Sequence, residues 1–262
     1  SAGSILCNGG TTSVTVSATG GTGAYTGTGV INNVSAGTYS YTVTDANNCS
    51  AVTNITIGQP NPLVASSSAG SILCNGGTTS VTVSATGGTG AYTGTGVINN
   101  VSAGTYSYTV TDANNCSAVT NITISQPNPL VASSSAGSIL CNGGTTTVTV
   151  SATGGTGAYT GTGVINNVSA GTYSYTVTDA NNCSAVTSIT IGEPSLLIAN
   201  ANAGDILCYG GTTTVNVTAT GGTGTYSGVG TINDVSAGTH SYVVTDANGC
   251  SATTQITINQ PD

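Results

Sequence analysis

The stretch GTYSYTVTDANNCS, from Gly37 to Ser50, combines a strand pattern with a tight turn. Its first part alternates, so that Tyr39, Tyr41 and Val43 share one face and hydroxyl side chains share the other. This period of two is typical of a half-buried β-strand. Asp and Asn in the following DANN favour a corner, because their side chains bond to their own backbone and tolerate positive φ. The stretch predicts antiparallel β-structure with a fixed corner before a cysteine.

The same stretch returns at 104–117 and 171–184, and as GTHSYVVTDANGCS at 238–251, which gives a period of 67 residues. The corner position Asn48 becomes Gly249 in the last copy, as expected for a left-handed residue. Short alternating strands and the absence of helical periodicity predict an all-β fold. We predict a tandem array of four small immunoglobulin-like antiparallel β-sandwich domains. The predicted boundaries are 1–59, 60–126, 127–193 and 194–262.

The first predicted domain starts late. Ser1 corresponds to Ser68, so the counterpart of Pro62–Ser67 is absent and the first strand is truncated. We expect a mature or excised segment, since Ser1 opens no signal-peptide pattern. An edge that lacks its first strand could receive a strand from another chain, and the simpler alternative is that the chain is a window cut from a longer array.

Cysteines occur at two phases of the repeat: Cys7, Cys74, Cys141 and Cys208 at one, and Cys49, Cys116, Cys183 and Cys250 at the other. Two cysteines per repeat do not make a four-ligand zinc site. We predict one disulfide inside each domain, Cys7 with Cys49 and the equivalent pairs. Closing such a loop contributes about 4 kcal/mol in the chain-entropy model. Disulfides indicate an oxidising, extracellular location.

The charge balance excludes two classes of partner. The chain has no Lys or Arg and a formal charge of −8, so it cannot neutralise nucleic-acid phosphates or anionic lipid headgroups. No apolar run is long enough to span a bilayer. We predict no nucleic-acid binding and no membrane insertion.

Candidate chemistry is sparse. His240 is the only histidine and takes the strand position of Tyr39, while no pair of acids recurs, so we predict that the chain is not an enzyme. The corner aspartates are the only candidates for a metal: Asp45, Asp112, Asp179 and Asp246. With nearby amides and carbonyls they could ligate calcium weakly, or they could only form the turn. No other cofactor is expected.

Four segments of the first repeat carry a family resemblance: CNGG at Cys7–Gly10, GGTGAY at Gly20–Tyr25, SAGTYSYTVTDANNC at Ser35–Cys49 and ITIGQP at Ile55–Pro60. Together they resemble the SprB repeat of bacterial cell-surface gliding adhesins, and the resemblance covers each repeat almost end to end. One departure is Thr26–Gly29, where the family often has a Trp. The resemblance implies an exported bacterial surface protein, typically secreted by the type IX route, with repeats acting as a stalk or filament and no catalytic residues.

These observations predict a structural repeat segment of an extracellular or cell-surface filament or stalk adhesin. It would act as a rigid spacer or a self-assembling fibre subunit, because uncharged faces and exposed strand edges favour association with its own kind. The alternative is a carbohydrate-binding adhesin module that recognises surface glycans. Tyr is the only aromatic type available as a platform for sugars.

Overall fold

The computed structural model describes residues 1–262 and contains only β-strands, with no helix, as predicted. There is accordingly no helix long and apolar enough to cross a membrane. The chain divides into two compact units, 1–127 and 128–262, each of which holds two of the predicted repeats.

The first unit contains nine strands: β1 Thr12–Val16, β2 Gly29–Val34, β3 Gly37–Thr44, β4 Ser50–Ile57, β5 Val64–Ala69, β6 Thr79–Thr86, β7 Gly96–Val101, β8 Gly104–Thr111 and β9 Ser117–Ile124. The second unit contains ten: β10 Val131–Ala136, β11 Thr146–Thr153, β12 Gly163–Val168, β13 Gly171–Thr178, β14 Ser184–Ile191, β15 Ile198–Ala203, β16 Thr212–Thr220, β17 Gly230–Ser236, β18 Gly238–Thr245 and β19 Ser251–Ile258. The strand predicted from the opening stretch is β3.

Each complete repeat has two antiparallel sheets. In the second repeat one sheet has the order β5-β6-β7 and the other is the hairpin β8-β9. The hairpin pairs from Gly104 with Ile124 to Thr111 with Ser117, so its turn is the DANNC corner. In the first repeat a single bridge, Ala2 with Val14, stands where β5 pairs with β6 in the second.

Four hydrophobic clusters form the cores, one in each predicted repeat. In the second repeat, Val81 and Val83 of β6 face Val110 of β8 and Ile124 of β9, and all four are buried. Tyrosines pack at the margin of each cluster and are only partly buried. The alternation of β-branched residues therefore places a small core of valine and isoleucine side chains between the two sheets.

Candidate linkage site between consecutive repeats

The corner after β8 is organised by one carboxylate. Asp112 Oδ1 accepts hydrogen bonds from the backbone N–H groups of Asn114 and Cys116, both at 2.9 Å. Its Oδ2 accepts a third, from Thr89 N–H at 2.8 Å, in the neighbouring GGTG turn. Asp112 is buried, with 4% of its surface exposed. One side chain therefore ties the corner to the turn beside it and fixes the position of Cys116.

The same three donors recur in each repeat and lower the pKa of the aspartate. Burial of Asp112, Asp179 and Asp246 opposes ionisation, but the backbone N–H donors outweigh it, so the pKa of each carboxyl lies below its ordinary value. For the less buried Asp45, the N–H of Thr22 is the largest cause of the lowered pKa. All four carboxyls are therefore held in the ionised form.

The left-handed corner residue is confirmed. Asn48, Asn115 and Asn182 have φ of 65°, 64° and 64°, and Gly249 has 83°. Nearby Gly88 also has positive φ, and a β-carbon there would lie 2.7 Å from Asp112 Oδ2. The glycine is needed because the turn backbone passes directly over the carboxylate.

The geometry of the aspartates favours the turn-forming role. Both oxygens of each carboxylate already accept backbone N–H donors, as for Asp179 and Asp246. No group of three or more His, Cys, Asp or Glu side chains could hold a metal ion. Calcium binding at Asp45, Asp112, Asp179 and Asp246 stays a prediction.

The predicted disulfides inside each domain are wrong. Cys7 bonds to Cys116 and Cys141 bonds to Cys250, with Cα–Cα distances of 5.6 and 5.7 Å. Cys74 and Cys183 are also disulfide-bonded, whereas Cys49 and Cys208 are free. The pairs Cys7–Cys49, Cys74–Cys116, Cys141–Cys183 and Cys208–Cys250 therefore do not form. Each of the two bonds described joins the first cysteine of one repeat to the second cysteine of the next.

The reason lies in where the two loops of a repeat are held. The CNGG loop is tied to the connector that leaves its own repeat: Asn8 Nδ2 donates to Pro60 O at 3.1 Å, and Gly9 N–H donates to Gln59 Oε1 at 2.7 Å. The corner instead lies beside the GGTG turn of its own repeat, whose Gly88 N–H donates to Asn61 O, in the connector that enters that repeat. The two cysteines therefore meet across the junction.

Polar contacts repeat at both junctions. Asn114 Nδ2 donates to Leu6 O at 3.2 Å in the first unit, and Asn248 Nδ2 donates to Leu140 O at 3.1 Å in the second. Beside these contacts lie open grooves of about 670 and 690 Å³. The disulfide and the amide contact together define a junction that the sequence uses twice in the same form.

Each junction has two halves, a CNGG-type loop and a corner, and one half of each kind has no disulfide partner: the loop at Cys208 and the corner at Cys49. Cys208 is exposed, and Leu207 beside it is 85% exposed, against 57% for Leu6 and Leu140 in the closed junctions. At the other half-junction, exposed Cys49 borders a groove of about 180 Å³ lined by Gly21, Tyr25 and Val43, among others.

In the later repeats a leucine lies at the equivalent of this groove. Leu63 Cδ1 is 3.1 Å from a β-carbon built on Gly88, and Leu130 and Leu197 take the same place beside Gly155 and Gly222. No leucine is near Gly21. The sequence pointed to the truncation, but the leucine's role as the filler of this groove was missed. Its recurrence at one phase of the repeat is the signal that identifies it.

His240 has a structural environment. Its Nε2 lies 2.8 Å from Ser236 O, just as Tyr173 Oη donates to Ser169 O at 3.1 Å in the preceding repeat. Its ring stacks on Tyr242. The histidine therefore replaces a tyrosine in a strand contact. The lack of enzymatic activity stays a prediction.

No family model and no curated protein matches the chain. Among solved structures it is similar to the N-terminal eight Ig domains of Down Syndrome Cell Adhesion Molecule (DSCAM) isoform 1.30.30, at 11% sequence identity and a TM-score of 0.26. The match covers 88% of this chain and 52% of that one, so the chain spans about half the length of that structure. A TM-score this low carries no argument about function.

Proposed function

We propose that the chain is a structural segment of an extracellular or cell-surface filament or stalk, in which immunoglobulin-like repeats act as stiff spacers. The observation that supports this most directly is the disulfide between consecutive repeats. A bond inside a repeat would stabilise that repeat alone. The bonds Cys7–Cys116 and Cys141–Cys250 instead join one repeat to the next.

A junction with two covalent attachments is stiffer than one with a single connector. A lone connector allows neighbouring domains to bend and swivel, which is the ordinary behaviour of domains in one chain. Here the disulfide gives a second attachment beside the connector, since Cys7, Cys116, Pro62 and Leu63 line one pocket. The two links resist bending and rotation together.

The disulfides also change the path that carries tension. Within each unit, force can pass through the sulfur bridge, which spans a sequence separation of 109 residues, instead of through the chain that the bridge encloses. Residues inside the bridged loops are therefore shielded from unfolding, as a spacer under shear requires.

The remaining features fit the same function. The family resemblance implies a bacterial surface protein, and the disulfides fit an oxidising, extracellular compartment. The buried aspartates serve the fold, and no cofactor, nucleic acid or membrane is needed. Self-association through uncharged faces is the expected mode of partnership.

Single-molecule pulling between the termini tests this function. Reducing the bridges Cys7–Cys116 and Cys141–Cys250 frees two loops with a sequence separation of 109 residues each, which adds about 700 Å of contour length at the extension of a stretched chain. We expect this length only after a reductant is added. An equal unfolding length in oxidised and reduced chains would contradict the role of the bridges in carrying tension.

A glycan array addresses the alternative function. The oxidised chain is expected to bind no glycan, because its exposed surface offers few aromatic platforms. Specific binding of one glycan class would favour the carbohydrate-binding adhesin instead.

A further inference from the structure

The CNGG loop of the third repeat contacts an acid where the other repeats have an amide. Gly143 N–H donates to Glu193 Oε2 at 2.6 Å. In the first repeat the equivalent Gly9 N–H donates to Gln59 Oε1 at 2.7 Å. The two glycines have the same backbone conformation, with φ of 75°. The loops therefore share the geometry of this contact and differ in its chemistry, because a carboxylate can take up a proton and a neutral amide carbonyl only accepts a hydrogen bond.

The residue before Gly143 makes the contact chemically relevant. Asn142 is followed by glycine, and in this pair the backbone nitrogen readily attacks the side-chain amide, because glycine has no side chain that obstructs ring closure. Asn142 Nδ2 donates to Pro194 O at 3.0 Å, which holds the amide at the connector. Nothing lies within 4 Å of the β-carbon position of Gly143. The loop therefore fixes both reacting groups and leaves room for the ring on that side.

The carboxylate of Glu193 lies where a general base must lie. A base acts on a proton from hydrogen-bond distance, about 2.6–3.2 Å between heavy atoms, and the 2.6 Å contact with Gly143 N meets this condition. Glu193 is exposed, and the chain has no Lys or Arg that could form an ion pair with it. Its carboxylate is therefore available to accept the proton of the attacking nitrogen.

We propose that Asn142 and Gly143 form a self-modification site, in which Glu193 is the general base for the conversion of Asn142 to aspartate and isoaspartate. The proposal is independent of the proposed function, since it concerns the chemistry of one loop. Each chain reacts once and acts on no other substrate.

The reaction is an intramolecular displacement followed by hydrolysis. Glu193 takes the proton from Gly143 N, and this nitrogen forms a bond to Asn142 Cγ. The bond from Cγ to Nδ2 breaks, and the amide nitrogen leaves as ammonia with the proton that Glu193 returns. The product is a cyclic succinimide. Water then adds to either ring carbonyl and opens the ring, which restores the N–H of the glycine and gives aspartate or isoaspartate without any oxidant or reductant.

The reaction weakens the attachment of the loop to the connector. The product has a carboxylate oxygen in place of the Nδ2 donor, so the hydrogen bond to Pro194 O is lost, and the new charge repels that of Glu193. The same loop carries Cys141, which is bonded to Cys250 of the next repeat. The junction between the third and fourth repeats is therefore the one that loosens as the chain ages.

The first two repeats are matched controls within the same chain. In the second repeat Gly76 N–H donates to Gln126 Oε1 at 2.7 Å, so this loop also lacks the acid. The peptides around Asn8 and Asn75 share the sequence CNGGTTS and are measured together, whereas Asn142 lies in the distinct sequence CNGGTTT. The oxidised full-length chain is incubated at neutral pH, then reduced and digested with pepsin. Chromatography with mass spectrometry separates the products, in which OH replaces NH₂.

We expect Asn142 to react about tenfold faster than the pooled control peptides, below the usual range for general-base catalysis because an exposed carboxylate is a weak base. E193Q should slow the reaction at Asn142 to the rate of the controls. Q59E/Q126E should raise the rate of the controls to that of Asn142. Both variants exchange residues that the repeats already carry at this position, so the fold should persist.

Equal rates at Asn142 and in the control peptides would overturn the proposal, as would no reaction in any loop or an E193Q variant that reacts as fast as the unsubstituted chain. A parallel incubation in urea after reduction separates geometry from sequence. We expect the rates to converge there, because unfolding removes Glu193 from the loop. A difference that persists in urea would assign the faster reaction to the neighbouring sequence and would also overturn the proposal.

Discussion

At the scale of single residues, the corner aspartate has a role that a neutral side chain cannot fill. A carboxylate has only acceptor sites, and charged acceptors make stronger hydrogen bonds to backbone N–H groups than amides do. Asp112 uses them to satisfy donors in two adjacent turns that no secondary structure would otherwise satisfy. The result is a rigid support for the adjacent cysteine.

Replacing Asp112 by Asn should lower the thermal stability of the chain by several degrees. The amide side chain would present an N–H₂ group toward at least one backbone donor and lose the charge. Calorimetry of D112N measures the shift. The matched control is D234N, because Asp234 is exposed, and the other repeats have Asn there. A loss as large in D234N would contradict the assigned role.

Acid should destabilise the fold through the same carboxyls. Their pKa is lowered in the folded chain, so the stabilisation that they supply is present above the unfolded pKa of about 3.9 and is lost as pH falls through the folded value. We expect a melting temperature that is nearly constant from pH 7 to 5 and that falls below about pH 4. A flat profile down to pH 2 would contradict the hydrogen-bond assignment.

The corner was predictable from the sequence because the chemistry of Asp and Asn is local. The fourth repeat has Gly249 where the first has Asn48, and this difference predicted a left-handed backbone at that position, which the structure confirms. The long-range partner of the carboxylate was not predictable. Nothing in the DANNC stretch indicates that Thr89 N–H, 23 residues before Asp112, would be its third donor.

At the scale of elements, close backbone contacts explain glycines that the turns alone do not require. Gly161 lies over β13, and a β-carbon there would stand 2.2 Å from Thr176 O. Gly143 in the CNGG loop has a similar φ, 75° against 81°, but nothing lies within 4 Å of its β-carbon position. A comparison of these two positions therefore distinguishes the cost of a positive φ, which both have, from the cost of a steric clash, which only Gly161 would have.

Substitution of both glycines by Ala measures that difference. G143A should cost about 1 kcal/mol, the strain of a left-handed residue with a β-carbon. G161A should cost several kcal/mol, because the methyl group meets a strand backbone that cannot move without breaking β13 pairing. Urea unfolding followed by tyrosine fluorescence gives both values. Equal costs would mean that the contact at Thr176 is relaxed in solution.

At the scale of the whole molecule, the disulfides decide how the repeats are joined. Strand positions and the all-β class followed from the alternation of residues, as β3 illustrates. The partner of Cys7 did not, because Cys49 and Cys116 occupy the same phase of the 67-residue period. A perfect repeat cannot tell its own second cysteine from that of its neighbour. Only the placement of the CNGG loop at the outgoing connector resolves the choice.

Removal of one junction bond should weaken the chain, whereas removal of the free thiols should not. C7S/C116S opens a loop with a sequence separation of 109 residues and should cost about 5 kcal/mol in the chain-entropy model. C49S/C208S breaks no bond and should be neutral. Urea midpoints of the two double variants give the comparison. A larger loss in C49S/C208S would show that those cysteines are bonded within the chain.

Disulfide mapping of the unreduced chain tests the central claim most directly. Trypsin has no site here, since Lys and Arg are absent, so pepsin at acid pH is the suitable protease and also suppresses exchange. Mass spectrometry should find the Cys250 peptide, which is unique in containing ANGCSATTQ, linked to the Cys141 peptide, which contains CNGGTTT where Cys7 and Cys74 are followed by NGGTTS. A peptide that links Cys208, in the unique stretch LCYGG, to Cys250 would contradict the account.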